Sequence, residues 1–98
     1  MELYDIIEEL SGFLKNGTLV LHRSFNVHNK FKAYKKFCYD LYYIENNEKT
    51  IVLQFEETKN ISSNDIEDTW KICDKLFLKV LIKWVLSNNY KALIDGVQ

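Results

Sequence analysis

Ninety-eight residues, 47% apolar and 14% aromatic, make one domain that can bury about 65% of its unfolded surface, which excludes disorder and any need for a covalent staple. The 28% of charged residues fit an ordinary soluble globule, and the net charge of −1 conceals a block pattern. Leu3, Ile6, Ile7, Leu10, Phe13 and Leu14 repeat at helical spacing, with Glu2, Asp5, Glu8, Glu9 and Ser11 on the other side. An acidic first turn, Lys15 in the last turn and the stop signal Asn16-Gly17 predict a helix over residues 2–15. Leu19, Leu21 and Phe25 then alternate with Val20, His22 and Ser24, which predicts a strand over 18–26 and a polar turn over 26–30.

Residues 31–45 fit two periods. Phe31, Tyr34, Phe37, Cys38, Leu41 and Tyr42 suit a helix, yet the run from Phe37 to Ile44 is rich in β-favouring side chains and leads into a hairpin signal, so a strand is expected. Asn46-Asn47-Glu48-Lys49 separates it from a second alternating run over 50–57. After a polar stretch over 58–63, Ser63 or Asn64 is the expected N-cap of a long helix, with Glu67 completing a capping box on Asn64. Ile66, Trp70, Cys73, Phe77, Val80, Leu81 and Trp84 share one face of that helix to about residue 87, and Lys71, Lys75, Lys79 and Lys83 line the other. Asn88-Asn89 breaks it, and 90–94 adds a last helical turn before Asp95-Gly96. The expected fold is α+β, a single αβββα domain over 1–98 with both helices on one face of an antiparallel sheet.

That layout puts Leu19, Leu21, Phe25, Phe37, Tyr39, Leu41, Ile51, Leu53 and Phe55 beneath the helices. The opposite face then carries Val20, His22, Lys36, Cys38, Asp40, Tyr42, Ile44, Val52 and Gln54, too apolar a set for solvation alone. A patch of Val20, Tyr42, Ile44 and Val52 suits a partner-binding surface or a dimer interface, unless the C-terminal segment or another register covers it. On the long helix, Leu78, Ile82 and Leu86 form a second apolar row for the tail or a second subunit to cover.

Charge is asymmetric along the chain. Arg23, Lys30, Lys32, Lys35 and Lys36 are interleaved with Phe31, Tyr34 and Phe37, and no acid occurs between Thr18 and Asp40. Such a strip can neutralise phosphates while His28, Phe31 or Tyr34 stack on bases, or dock an acidic protein groove, or simply keep an edge strand soluble. Candidate chemistry is sparse. His22 and His28 with Cys38 make no zinc spacing, so no metal and no cofactor is expected. Cys38 and His22 on adjacent strands could pair as thiolate and imidazole, but no orienting group or oxyanion loop accompanies them. Glu8-Glu9 and Glu56-Glu57 point to different faces, and no glycine-rich turn leads into a helix. No catalytic residue is assigned. Cys38 and Cys73 read as reduced core or near-core thiols. The acidic start lacks a signal-peptide plan, and the apolar stretch 76–86 is short and interrupted by Lys79 and Lys83, so a cytoplasmic protein is expected.

The order of helix, three strands and helix is similar to that of double-stranded RNA-binding domains. That resemblance implies phosphate contacts from a basic second-helix start and from a Gly-Pro loop after the first strand. This chain has Asn64-Asp65-Ile66-Glu67-Asp68 and Asn26-Val27-His28-Asn29 there, so RNA binding is not carried across. In size the chain resembles small anti-CRISPR proteins and other host-defence antagonists, and in its mix of helices and antiparallel sheet it is similar to type III secretion chaperones. Twelve lysines to one arginine, nine asparagines and no proline suggest an AT-rich genome such as that of a low-GC bacterium or its phage. The expected function is therefore a non-catalytic protein-binding module that docks on and inhibits a larger protein or nucleoprotein. The alternatives are an RNA- or DNA-binding module using the strip 23–36, or a small chaperone or adaptor homodimer.

Overall fold

A computed structural model describes residues 2–27, 34–60 and 65–95. Its elements run α1 (Leu3–Gly12), β1 (Thr18–Val27), β2 (Tyr34–Glu45), β3 (Glu48–Asn60), α2 (Ile66–Val85) and α3 (Asn88–Asp95), an α+β arrangement with all helices on one side of an antiparallel sheet of order β1-β2-β3. Helix α1 stops at Gly12, earlier than the apolar spacing suggests, and is closed by the Phe13 N–H donating to the Leu10 carbonyl and the Leu14 N–H to the Ser11 carbonyl. Glycine is a poor helix residue, and Leu14 reaches the core from the turn instead. The Ser11 hydroxyl then accepts from the Leu19 N–H at 2.9 Å and lies 2.6 Å from the Thr18 hydroxyl, which ties the end of α1 to the start of β1.

The segment with two possible periods is a strand. Asn46 and Asn47 both have positive φ, 53° and 64°, the backbone of a two-residue type I′ turn. Asparagine tolerates that conformation, so β3 begins directly at Glu48 and Lys49 belongs to the strand rather than the turn. Gly17 is fixed by a neighbour, because a Cβ there would lie 2.4 Å from the Tyr43 ring and 2.7 Å from the Ile44 carbonyl oxygen. Helix α2 takes Asp65 as its N-cap without a side-chain capping bond, whereas Ser63 and Asn64 lie outside the described residues. At its other end the Ser87 hydroxyl donates to the Trp84 carbonyl and accepts from the Asn89 N–H, linking α2 to α3.

The core lies between the sheet and the helices. Phe37, Tyr39 and Leu41 of the central strand are fully buried under Cys73, Phe77 and Leu81 of α2. Tyr39 stacks on Phe77 at 4.8 Å between centroids, and Phe37 meets Trp70 edge-on at 4.7 Å. Trp70 is only half-buried, capping this aromatic cluster rather than filling it. Trp84 packs against Tyr90 of α3 at 5.4 Å, and the Tyr90 hydroxyl donates to the Leu10 carbonyl at 2.6 Å. Three segments distant in sequence are thereby held together.

One part of the expected face assignment is corrected. Leu41 pairs with Leu53, but Tyr42 pairs with Ile51, so Val52 is the extra residue of a β-bulge. Because side chains alternate with period two, one inserted residue exchanges the faces of everything beyond it. Val52 packs against the core beside Trp84, Ala92 and Leu93, and Ile51 joins the open face.

Candidate protein-binding surface

The sheet face away from the helices is built from cross-strand rows. Val20, Tyr42 and Ile51 form one continuous row across all three strands, next to Ile44 between Thr18 and Lys49. Val20 and Ile51 keep 43% and 45% of their surface exposed, and Tyr42 and Ile44 are half-buried. The Lys49 ammonium sits over the Tyr42 ring, 4.3 Å from its centre. The next rows are polar: Asp40 accepts from the Gln54 amide at 2.9 Å beside exposed His22, and Lys36 lies 3.4 Å from Glu56 beside Cys38. An apolar end thus grades into a charged end along one face.

The basic strip does not form a single patch among the described residues. Lys36 is on the open face, paired with Glu56, whereas Lys35 shares the helix side with Phe37 and is half-buried opposite Val27 and Lys59. Lys30 and Lys32, like His28 and Phe31, lie outside the described residues. Tyr34 opens β2, is exposed, and sits opposite Asn60. Arg23 departs furthest from its expected role. It points to the helix side, where its Nη1 donates to both Asp74 oxygens at 3.0 and 2.9 Å and its Nε donates to the Tyr4 hydroxyl at 3.0 Å. The guanidinium also lies over the Trp70 ring at 4.7 Å and the Tyr4 ring at 5.0 Å. Tyr39 donates to the same Asp74 carboxylate from beneath, at 2.5 Å.

This cluster is an internal clasp between β1, β2, α1 and α2. Burial pulls the Arg23 guanidinium down, but Asp74 and Tyr4 outweigh it, so the group is held more firmly charged than usual. Burial, reinforced by Asp74, pushes the Tyr39 hydroxyl far above its ordinary range. Beside the clasp, a groove of about 310 Å³ is lined by Leu3, Tyr4, Lys71, Asp74, Lys75 and Leu78. Arg23 is therefore not the surface cation expected, and its partners Tyr4 and Asp74 were not among the expected site residues. The signal was present: Arg23 falls at the inward position of the alternation Leu19, Leu21, Phe25, and Asp74 adjoins Cys73 on the apolar side of α2.

Burial pushes the Cys38 thiol up and the Glu56 carboxylate adds to the effect, while burial likewise raises Cys73. His22 pairs across the strands with Asp40, and Cys38 with Ser24, so the two candidate groups occupy different rows. Among the described residues no group of three His, Cys, Asp or Glu side chains could hold a metal ion, and no helix is long and apolar enough to cross a membrane.

Of the second apolar row, Leu78 packs against the core, whereas α3 folds onto Trp84 and leaves Ile82 50% and Leu86 81% exposed, so among the described residues the tail leaves these two uncovered and a second subunit is the other expected cover. No protein-family model, curated protein or solved structure matches this chain.

Proposed function

We propose that this chain is a non-catalytic protein-binding module that docks through the open face of its sheet and inhibits a larger partner by occlusion. The observation that carries the reading is the row Val20, Tyr42 and Ile51, an apolar strip spanning the full width of a face that no described element of the chain covers. Such a strip loses unfavourable water contact when a partner seals it, and the polar rows beside it supply a rim. Ion pairing of Lys36 with Glu56 and of Arg23 with Asp74 leaves less free cation for phosphate than the sequence suggests, which weighs against nucleic acid. Small size and a lysine- and asparagine-rich, proline-free composition suit an antagonist carried by a phage or another mobile element.

The test is affinity capture by the tagged full-length chain with and without nuclease. A single nuclease-resistant protein recovered near equal stoichiometry is expected. Recovery that collapses with nuclease would replace this reading with nucleic-acid binding through the strip 23–36.

A further inference from the structure

The helix layer has an acidic half and a basic half. Helix α1 packs on β1 and α2 on β2 and β3, so the two lie side by side over the sheet. Tyr4 and Asp74 meet on Arg23 near the start of α1, and Tyr90, seated on Trp84, reaches the Leu10 carbonyl near its end. The two helices therefore run in the same direction, with α1 level with the second half of α2.

Turned away from the core, α1 exposes Asp5, Glu8 and Glu9 opposite buried Leu3 and Ile7. The half of α2 beside it exposes Lys75, Lys79, Ile82 and Leu86 opposite buried Cys73, Phe77, Leu81 and Trp84. Helix α1 contains no basic residue, and the one acid of α2 beyond Thr69 is Asp74, which is taken by Arg23. Among the described residues, none of Asp5, Glu8, Glu9, Lys75 and Lys79 forms an ion pair within the chain. Both stripes end on an exposed apolar side chain close to the same level, Phe13 with 67% of its surface open and Leu86.

A copy of the chain can lie face to face on this layer about a two-fold axis in the plane of contact, set across the helices or along them. An axis across them places α1 on α1 and α2 on α2, acid on acid and lysine on lysine. An axis along them places α1 of each copy on α2 of the other, keeps every level unchanged and makes the match twice.

We propose that the chain forms a homodimer through its helix layer about a two-fold axis parallel to α1 and α2, with Glu8 and Glu9 of each copy facing Lys75 and Lys79 of the other and Phe13 packed against Leu86. Opposite charges matched twice fix the orientation, and Phe13, Ile82 and Leu86 supply the apolar contact that charge alone lacks. The matched length is that of α1, ten residues or about 15 Å, so the interface is small and the dimer dissociates at micromolar concentration. The open sheet faces of the two copies point away from each other. This contact is separate from the proposed docking face and does not rest on it.

The test is sedimentation equilibrium of the full-length chain over a series from low micromolar to submillimolar concentration. The chain is expected to pass from monomer to dimer across that series, and added salt should move the transition to higher concentration. Glu8→Lys/Glu9→Lys and Lys75→Glu/Lys79→Glu should each raise the dissociation constant by at least about tenfold, because the facing pairs turn repulsive in both halves of the dimer. All four positions are exposed, so both variants should keep the parent's circular dichroism spectrum. Mixed in equal amounts, the two variants should associate again, since α1 of each is then opposite in sign to α2 of the other; that rescue excludes unfolding as the cause of the loss. Tyr42→Asp/Ile51→Asp on the open face should leave the dimer intact. A chain that stays monomeric throughout the series, a dimer unmoved by both charge reversals, a mixture that does not associate, or a dimer lost with the open-face variant would overturn the proposal.

Discussion

The two faces of this sheet share three strands and two hydrogen-bond ladders but differ in what they hold. The helix side packs Phe37, Tyr39, Leu41 and Phe77 to full burial and includes the clasp of Arg23, Asp74, Tyr39 and Tyr4. The open side carries smaller or half-exposed groups, with Lys49 over Tyr42 and Lys36 beside Glu56 as its strongest local contacts. Burial is concentrated on the helix side of the sheet, which leaves the open side less constrained by packing.

The largest expected effect is on the covered side. Phe77→Ala removes the ring stacked on Tyr39 and should cost about 3–5 kcal/mol in denaturant unfolding, while Tyr42→Ala on the open side should cost below ~1 kcal/mol. Comparable costs would erase the distinction between the faces. Asp74→Ala should come next, at about 2–3 kcal/mol, because it strands the partly buried Arg23 guanidinium and the Tyr39 hydroxyl without an acceptor. A Tyr39→Phe background should shrink that cost, since one of the two orphaned donors is gone.

Gly17→Ala should cost about 1–3 kcal/mol by forcing the Tyr43 ring and the Ile44 carbonyl from a new Cβ, and Tyr43→Ala should relieve part of it. Alkaline pH gives a graded effect. The folded state holds the Tyr39 proton more tightly than the unfolded chain does, so stability present at neutral pH declines as pH rises above about 10, by up to about 1.4 kcal/mol per pH unit for one such tyrosine. A flat stability profile from pH 9 to 11 would contradict the buried assignment of that hydroxyl.

Periodicity made most of the fold legible. Helical spacing in 3–14 and 66–84 and alternation in 19–25 and 37–41 each reflect one buried face, and that signal survives in a single sequence. The bulge at Val52 left no trace, because Ile51-Val52-Leu53 is uniformly apolar and either phase reads equally well. Arg23 was misplaced because a charge is read as outward by default, although its position in the alternation says otherwise. The Ser11 tie between α1 and β1 was not readable at all, because it depends on where α1 lies beside the strand and on which way the Leu19 amide points, and neither is encoded in side-chain period.

Docking through the open face separates two folded double variants in affinity capture, Tyr42→Asp/Ile51→Asp on that face and Ile82→Asp/Leu86→Asp on the exposed row of α2. The first is expected to lose the stoichiometric protein partner and the second to retain it. Retention by the first with loss by the second would move the binding surface to α2.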